Sequence, residues 1–258
     1  MLITLGTFNV RGPWDNAAPF DWKSRIPLLR EVLKRTGLEI VGLQEPVDDQ
    51  LQALLNDSVY KYIGVGRNDF KKDGEYSCIL YNAERFENLE SGTFALSETP
   101  DVPGSKSWDS RCPRIATWGK FIDRQTGKLF VMCNTHLDHI SEAARINGIK
   151  LIVERLQPFR DQNIPLILTG DFNAFPDSET VRTAASLLLN SRVITENGPF
   201  GEEGTFHRWG ELQEEKRQAI DYIFVSPEVR VLEYRTEDGR VDGLYSSDHD
   251  PVLVKITI

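Results

Sequence analysis

The feature that most limits what this chain can fold into is its supply of strand-length apolar runs. Ile3–Val10, Glu39–Gln44, Ser77–Tyr81, Trp118–Ile122, Lys128–Thr135, Ile164–Gly170, Ala219–Val225, Val229–Tyr234 and Val252–Ile258 each read as a strand. Helical patterns lie between some of them. Ile26, Leu29, Val32 and Leu33 recur at helical spacing from Arg25 to Lys34, with Gly37 as the stop. Ala143, Ile146, Ile149, Ile152, Val153 and Leu156 give Glu142–Leu156 an apolar face. A third pattern runs over Asp177–Leu189, with Asp177 as the expected cap. Strand–helix–strand units mixed with strand pairs give an α/β or α+β class. So many strands crowd one flat sheet, and two packed sheets covered by helices are expected. No Pro/Gly/Ser-rich linker and no repeat interrupts the pattern, so residues 1–258 read as a single domain.

These runs end in polar residues. Asn9 follows ITLGTF, Glu45 follows IVGLQ, His136 and Asp138 follow VMCNT, and Asp171 and Asn173 follow LILTG. Asp248 and His249 precede PVLVKITI, and Asp221 interrupts AIDYIFV. Sites are commonly built on loops that leave a rigid scaffold. Taken singly, each residue has an ordinary explanation. Asp171 and Asn173 could shape a turn, Glu45 could be a surface charge, and a lone histidine is usually structural. Asp221, inside an apolar run, needs a partner in any case.

The formal net charge is −9, from 30 Lys and Arg against 39 Asp and Glu. Affinity for duplex DNA comes largely from cations that neutralise phosphates, so extended duplex DNA is not an expected partner. The carboxylates suit a hard divalent cation instead. Cys78, Cys112 and Cys133 show no CxxC spacing, which argues against a zinc knuckle and for free thiols. MLITLGTFNVRG is not a signal peptide, and no run reaches the roughly 18 apolar residues of a membrane span. The expectation is a cytoplasmic protein with no membrane partner.

Six blocks, TFNVRG, GLQEP, NTHLDH, GDFNAFP, IDYIFV and SDHDPV, appear in this order between Thr7 and Val252. Together they resemble the endonuclease/exonuclease/phosphatase superfamily. FALSETPDVPGSKSWD (Phe94–Asp109) and CPRIATW (Cys112–Trp118) are similar to a bacterial group within it. The resemblance implies a four-layer sandwich of the pancreatic-deoxyribonuclease type, with two central β-sheets flanked by helices. It also implies Mg²⁺- or Mn²⁺-dependent cleavage of phosphodiesters or phosphomonoesters.

Residue types are consistent with that chemistry. Mg²⁺ takes oxygen ligands and keeps several waters, so one or two carboxylates suffice. Glu45 is the first choice of ligand, with Asn9 and Asp248 beside it. By the same resemblance Asp171 orients or deprotonates the water, and Asn173 holds water or phosphate. His249 is expected to pair with Asp221, which would fix its tautomer and raise its basicity, so that the pair donates to the phosphate or itself acts as the base. His136 is expected on a phosphoryl oxygen. Arg114 is a candidate phosphate clamp, since its fork matches phosphate oxygens, and Trp108 a candidate substrate wall. Asp138 and His139 could extend the site or brace its loop, and His207 could approach it. Asp250, where many relatives carry a less polar residue, would add negative charge if it faces the site.

A small organic phosphate or nucleotide-like substrate is favoured. RNA cleavage of the deadenylase kind is the alternative, since a short single strand needs few basic contacts. A duplex nuclease should show a basic surface, and clusters such as Lys71–Lys72 are short. A catalytically inactive binding module would have lost site residues, and none of the set is missing. A Ser–His–Asp hydrolase lacks its GxSxG elbow here.

Overall fold

The computed structural model describes residues 1–56 and 58–258. The elements in order are β1 (Leu2–Asn9), α1 (Trp22–Thr36), β2 (Ile40–Gln44), α2 (Asp48–Leu55), β3 (Tyr60–Ile63), β4 (Ser77–Asn82), β5 (Phe86–Ala95), β6 (Ile115–Asp123) and β7 (Leu129–His136). There follow α3 (Glu142–Arg160), β8 (Leu166–Asp171), α4 (Glu179–Leu187), β9 (Leu189–Asn190), α5 (Ser191–Ile194) and β10 (Asn197–Phe200). The last are β11 (Asp221–Val225), β12 (Arg230–Thr236), β13 (Arg240–Val241), β14 (Leu244–Tyr245) and β15 (Val252–Thr257). One sheet has the order β10-β12-β15-β1-β2-β4-β3 and the other β5-β6-β7-β8-β11-β9. No helix among the described residues is long and apolar enough to cross a membrane.

Three apolar clusters define the layers. Leu29, Val32 and Leu33 of α1 and Leu51 and Leu54 of α2 pack on Phe8, Val41, Leu43, Cys78 and Leu80. Ile149, Ile152 and Leu156 of α3 and Val181 and Ala184 of α4 pack on Val131, Cys133, Leu166 and Leu168. Between the sheets lie Ile3, Leu5, Ile40, Ile79, Phe130, Met132, Ile167, Ile223, Val254 and Ile256. The result is helix, sheet, sheet, helix, the four-layer sandwich expected.

Each sheet is centred on a parallel pair: β1 with β2, and β7 with β8. Each pair is joined through a helix, α1 or α3, as a parallel connection requires. Each pair also has an antiparallel neighbour, β15 beside β1 and β11 beside β8. The carboxyl ends of four strands and the amino ends of two therefore gather at one end of the sandwich. The helices are held by their caps. Asp21 accepts from Lys23 N and Ser24 N, and Gly37 closes α1 with φ 62°, the stop expected from the sequence. The cap of α4 is Ser178, which accepts from Val181 N, rather than the expected Asp177. Ser178 stands three residues before that orphan N–H, and Asp177 is one residue too early.

Candidate active site

Side chains alternate across a strand, so every second residue of the central strands faces the other sheet. In β1 these are Ile3, Leu5, Thr7 and Asn9, and in β7 they are Phe130, Met132, Asn134 and His136. In β8 they are Ile167, Thr169 and Asp171, and β11 read backwards gives Val225, Ile223 and Asp221. The inter-sheet space thus passes from apolar to neutral polar to ionisable along its length.

The neutral layer is a connected network in which Gln44 Oε1 alone among its side-chain oxygens has no partner. Gln44 Nε2 donates to Thr7 Oγ1 at 2.9 Å and to Asn134 Oδ1 at 2.7 Å. Thr169 Oγ1 donates to Asn134 Oδ1 at 3.0 Å, and Asn134 Nδ2 reaches Leu43 O and Cys78 O in the facing sheet. Buried polar groups paired in this way fix the register of one sheet on the other. They form the floor of the ionisable layer.

In that layer Asp171 is the register partner of both His136 and Asp221. Asn9 Nδ2 donates to Glu45 Oε1 at 2.9 Å and to Asp171 Oδ2 at 3.0 Å. Gly12 N donates to Glu45 Oε2 at 2.9 Å. His249 Nδ1 lies 2.9 Å from Asp221 Oδ2, which also accepts from Thr205 Oγ1 at 2.6 Å. The other nitrogen, Nε2, stands 3.8 Å from Asp171 Oδ2. Asn173 Nδ2 meets His136 Nε2 at 2.9 Å, and its own N–H donates to Asp171 Oδ1. Asp248 Oδ2 lies 3.6 Å from Arg11 Nη1. Asn9, Glu45, His136, Asp171, Asn173, Asp221, Asp248 and His249 are thus brought together as the sequence suggested. Several of them line a cleft of about 300 Å³.

Burial and neighbours set the charges. Burial raises Asp171 to about 7; Asp221 adds to the rise, and His249 opposes it. Burial works against a charge on His249, but Asp221, Asp171 and Asp248 outweigh it and raise the imidazole to about 10. His136 is pushed well below its usual value by burial and by Arg114, so it is neutral. Burial alone would raise Glu45, but the Gly12 and Asn9 hydrogen bonds, with His249 and Arg11, hold it below the usual carboxylate range. Burial raises Asp248.

The remaining candidates divide. Arg114 lines the cleft, with Nη2 3.1 Å from His139 Nδ1 and Nη1 3.7 Å from Glu75. Trp108 does not line it. Its carbonyl accepts from Ser141 Oγ at 2.6 Å, and the residue holds φ 57° in the loop between β5 and β6. Asp138 ties that loop to its own, taking N–H groups of Arg111 and Cys112 from the first and of Ile140 and Ser141 from the turn into α3. His207 and Asp250 face a separate small pocket behind the site, with Gly239 N donating to Asp250 Oδ1 at 2.8 Å. The negative charge of Asp250 is therefore directed away from the cleft.

Sequence reasoning missed several residues. Arg11, Trp14, Arg67, Glu75 and Phe206 line the cleft from loops. Arg25 of α1 is wholly buried and donates to the carbonyls of Phe20, Val10, Ser246, Arg11 and Gly12. It fastens the loop that carries Asn9 and Gly12 to the segment before Asp248. The only hint was an arginine on the apolar side of a helical pattern.

Two carboxylates, of Glu45 and Asp171, converge on one amide of Asn9, a point that favours positive charge. Glu45 and Asp248 supply the hard oxygens that Mg²⁺ or Mn²⁺ takes. Asn9 could add an oxygen by turning its amide, since Oδ1 now accepts from Arg11 N. Asp171, Asp221 and His249 also form a compact trio whose ligand atoms lie within 4.8 Å of one another. That trio is the poorer cation site, because His249 carries a proton and Asp221 is engaged with it.

Comparison with known proteins agrees with this geometry. The structure matches an endonuclease/exonuclease/phosphatase from Bacteroides vulgatus with a TM-score of 0.94 and 35% identity, over 100% of this chain and 99% of that one. It matches a mannosyl-6-phosphatase from Bacteroides thetaiotaomicron with a TM-score of 0.91 and 34% identity, over 99% and 100% of the two chains. Protein angel of Drosophila melanogaster is 28% identical over 165 residues, 60% of this chain and 44% of that protein. The chain spans less than half the length of the curated relatives it matches. The Endonuclease/Exonuclease/phosphatase family model matches residues 6–249, and the chain belongs to that family.

Proposed function

We propose that the protein hydrolyses a phosphate ester of a small organic molecule, with Mg²⁺ or Mn²⁺ as cofactor. The observation that carries this is the opposition of two groups across one cleft. Asp171, raised to about 7, stands 3.8 Å from the imidazole of His249, which Asp221 keeps protonated. A carboxylate that titrates near neutrality can take the proton of an attacking water. An imidazolium beside it can hold the charge that gathers on the phosphoryl oxygens. Water adds to phosphorus as the ester P–O bond breaks, the water's proton passes to Asp171, and the leaving oxygen takes a proton from solvent to depart as the alcohol. His136 and Asn173 sit where they can hold a phosphoryl oxygen or the water, and Arg114 can take a further oxygen.

Glu45 and Asp248, with Asn9, would hold the cation, whose chemistry is to screen the phosphate and stabilise developing charge. The similarity to a mannosyl-6-phosphatase supports a sugar phosphate among the small esters. The three unpaired thiols suit a reducing compartment, in line with a cytoplasmic location. The test is phosphate release from sugar phosphates, nucleotides, phosphodiesters and short RNA, with Mg²⁺ or Mn²⁺ and with chelator. Release from small esters that stops in EDTA is expected. Activity that survives EDTA, or that is confined to RNA, would overturn the reading.

A further inference from the structure

Trp14 is half exposed, at 51%, yet it is not a loose surface side chain. A Cβ on Gly12 would come within 2.8 Å of the indole Cε2, so the ring lies directly against the glycine backbone. That same Gly12 donates to Glu45. Arg25 holds the carbonyls of Arg11 and Gly12, and the Arg11–Asp15 ion pair, at 3.0 Å, spans the turn. The indole is therefore fixed relative to a residue that would hold the cation, and it lines the cleft.

Another part of the lining is polar. Glu75 has the guanidinium groups of Arg67 and Arg114 beside it. A carboxylate flanked by guanidinium groups offers acceptors next to donors, the pattern that adjacent hydroxyls match. An aromatic surface kept in water is suited to the flat face of a ring, whose C–H bonds meet the electron-rich π face. A cleft of about 300 Å³ lies at the small end of the ~300–1,000 Å³ of ligand pockets.

We infer that Trp14 is a specificity residue, the stacking platform for a neutral hydroxylated ring whose hydroxyls face Glu75 and Arg67. The substrate class is then a sugar phosphate rather than a linear ester. This rests on the phosphoesterase reading above. The experiment measures kcat and KM with Mg²⁺ for glucose 6-phosphate, glycerol 3-phosphate and AMP, in the wild type, Trp14→Ala and Trp14→Phe. Calorimetric affinities for the same three esters accompany the rates.

In Trp14→Ala the preference for glucose 6-phosphate over glycerol 3-phosphate should fall roughly two- to tenfold, the span of one edge-to-face C–H contact on an aromatic side chain. The loss should appear in KM, and Trp14→Phe should restore most of it. An unchanged preference, or an equal loss on both esters, overturns the inference. A loss confined to AMP overturns the sugar and assigns the platform to a base. If none of the three esters is turned over, they are not its substrates and the affinities decide. A glucose 6-phosphate preference in binding that Trp14→Ala abolishes still supports the platform, and equal binding of all three esters in the wild type overturns it.

Discussion

Asp171 and Asp221 are register partners on neighbouring antiparallel strands, and the imidazole of His249 reaches both. Asp171 rises to about 7 chiefly through burial, while His249 rises to about 10 chiefly through Asp221. The proposed reaction needs Asp171 unprotonated and His249 protonated. Activity should therefore climb as pH rises through the Asp171 value and fall as it rises through that of His249. A divalent cation beside Asp171 would favour its charged form and move the acid limb below about 7. The pH profile of kcat/KM checks this, and a flat profile from pH 5 to 11 would discount the pair. Asp171→Asn and His249→Ala should each cost about 10²–10⁴-fold in kcat. Asp221→Asn should cost less, and the Asp221/His249 double variant should be no worse than His249→Ala, because the two act as a unit. Additive losses would separate them. The site was legible at this scale because its members end strands: ITLGTFN and LILTGD carry their polar residue at the last inward position. Arg11, Arg67 and Glu75 were not legible, since loop residues carry no periodicity to say which way they point.

Elements showed the same division. The central strands β1, β2, β7, β8, β11 and β15 were visible as apolar runs because both their faces are covered. β5 was not, as an edge strand with exposed Glu87 and Glu90 and a register shift between Asn88 and Glu90 that breaks its alternation. β3 and α2 were too short to show a period. Gly42 of β2 illustrates what periodicity cannot show. A Cβ there would stand 2.5 Å from Asn134 Cγ and Thr169 Oγ1 of the other sheet. Gly42→Ala should lower Tm by several degrees, since overpacking a tight core costs about 1–3 kcal/mol. A Tm equal to wild type would mean the polar floor can yield. The segment before β15 gives the opposite kind of test. Burial raises Asp250 to about 7, only partly offset by the Gly239 N–H. A carboxylate raised in the fold stabilises it at acid pH and loses that contribution as pH climbs from the unfolded value through about 7. Asp250→Asn keeps an oxygen for Gly239 and removes the charge. It should raise stability at pH 8, on the order of a few kcal/mol, and have little effect near pH 4. Denaturant unfolding at the two pH values measures the difference, and an equal effect at both would contradict the buried-charge account.

At the scale of the whole molecule, charge and architecture act on different ranges. The two-sheet sandwich followed from strand supply alone, and the gathering of polar strand ends followed from the two parallel pairs. The net charge of −9 governs what the molecule meets before the cleft is reached. Many surface cations are already engaged: Arg155 with Asp101, Arg182 with Glu179, Arg208 with Glu211, and Arg230 with Glu196. A duplex footprint needs a continuous row of free cations, and each phosphate neutralised would give a slope near −0.9 in log affinity against log salt. Binding of duplex DNA should therefore be weak and length-independent at physiological salt. A cleft that grips one phosphate through Arg114, His136 and a cation should respond to the scissile group alone. Esters sharing one scissile group but carrying leaving groups from a single sugar to a long oligonucleotide, compared across a salt series, put this to the test. Equal or falling kcat/KM with length is expected. A steep rise with length that added salt erases would mean that an extended cationic track outweighs the overall charge, and would move the protein to the nucleases of its family.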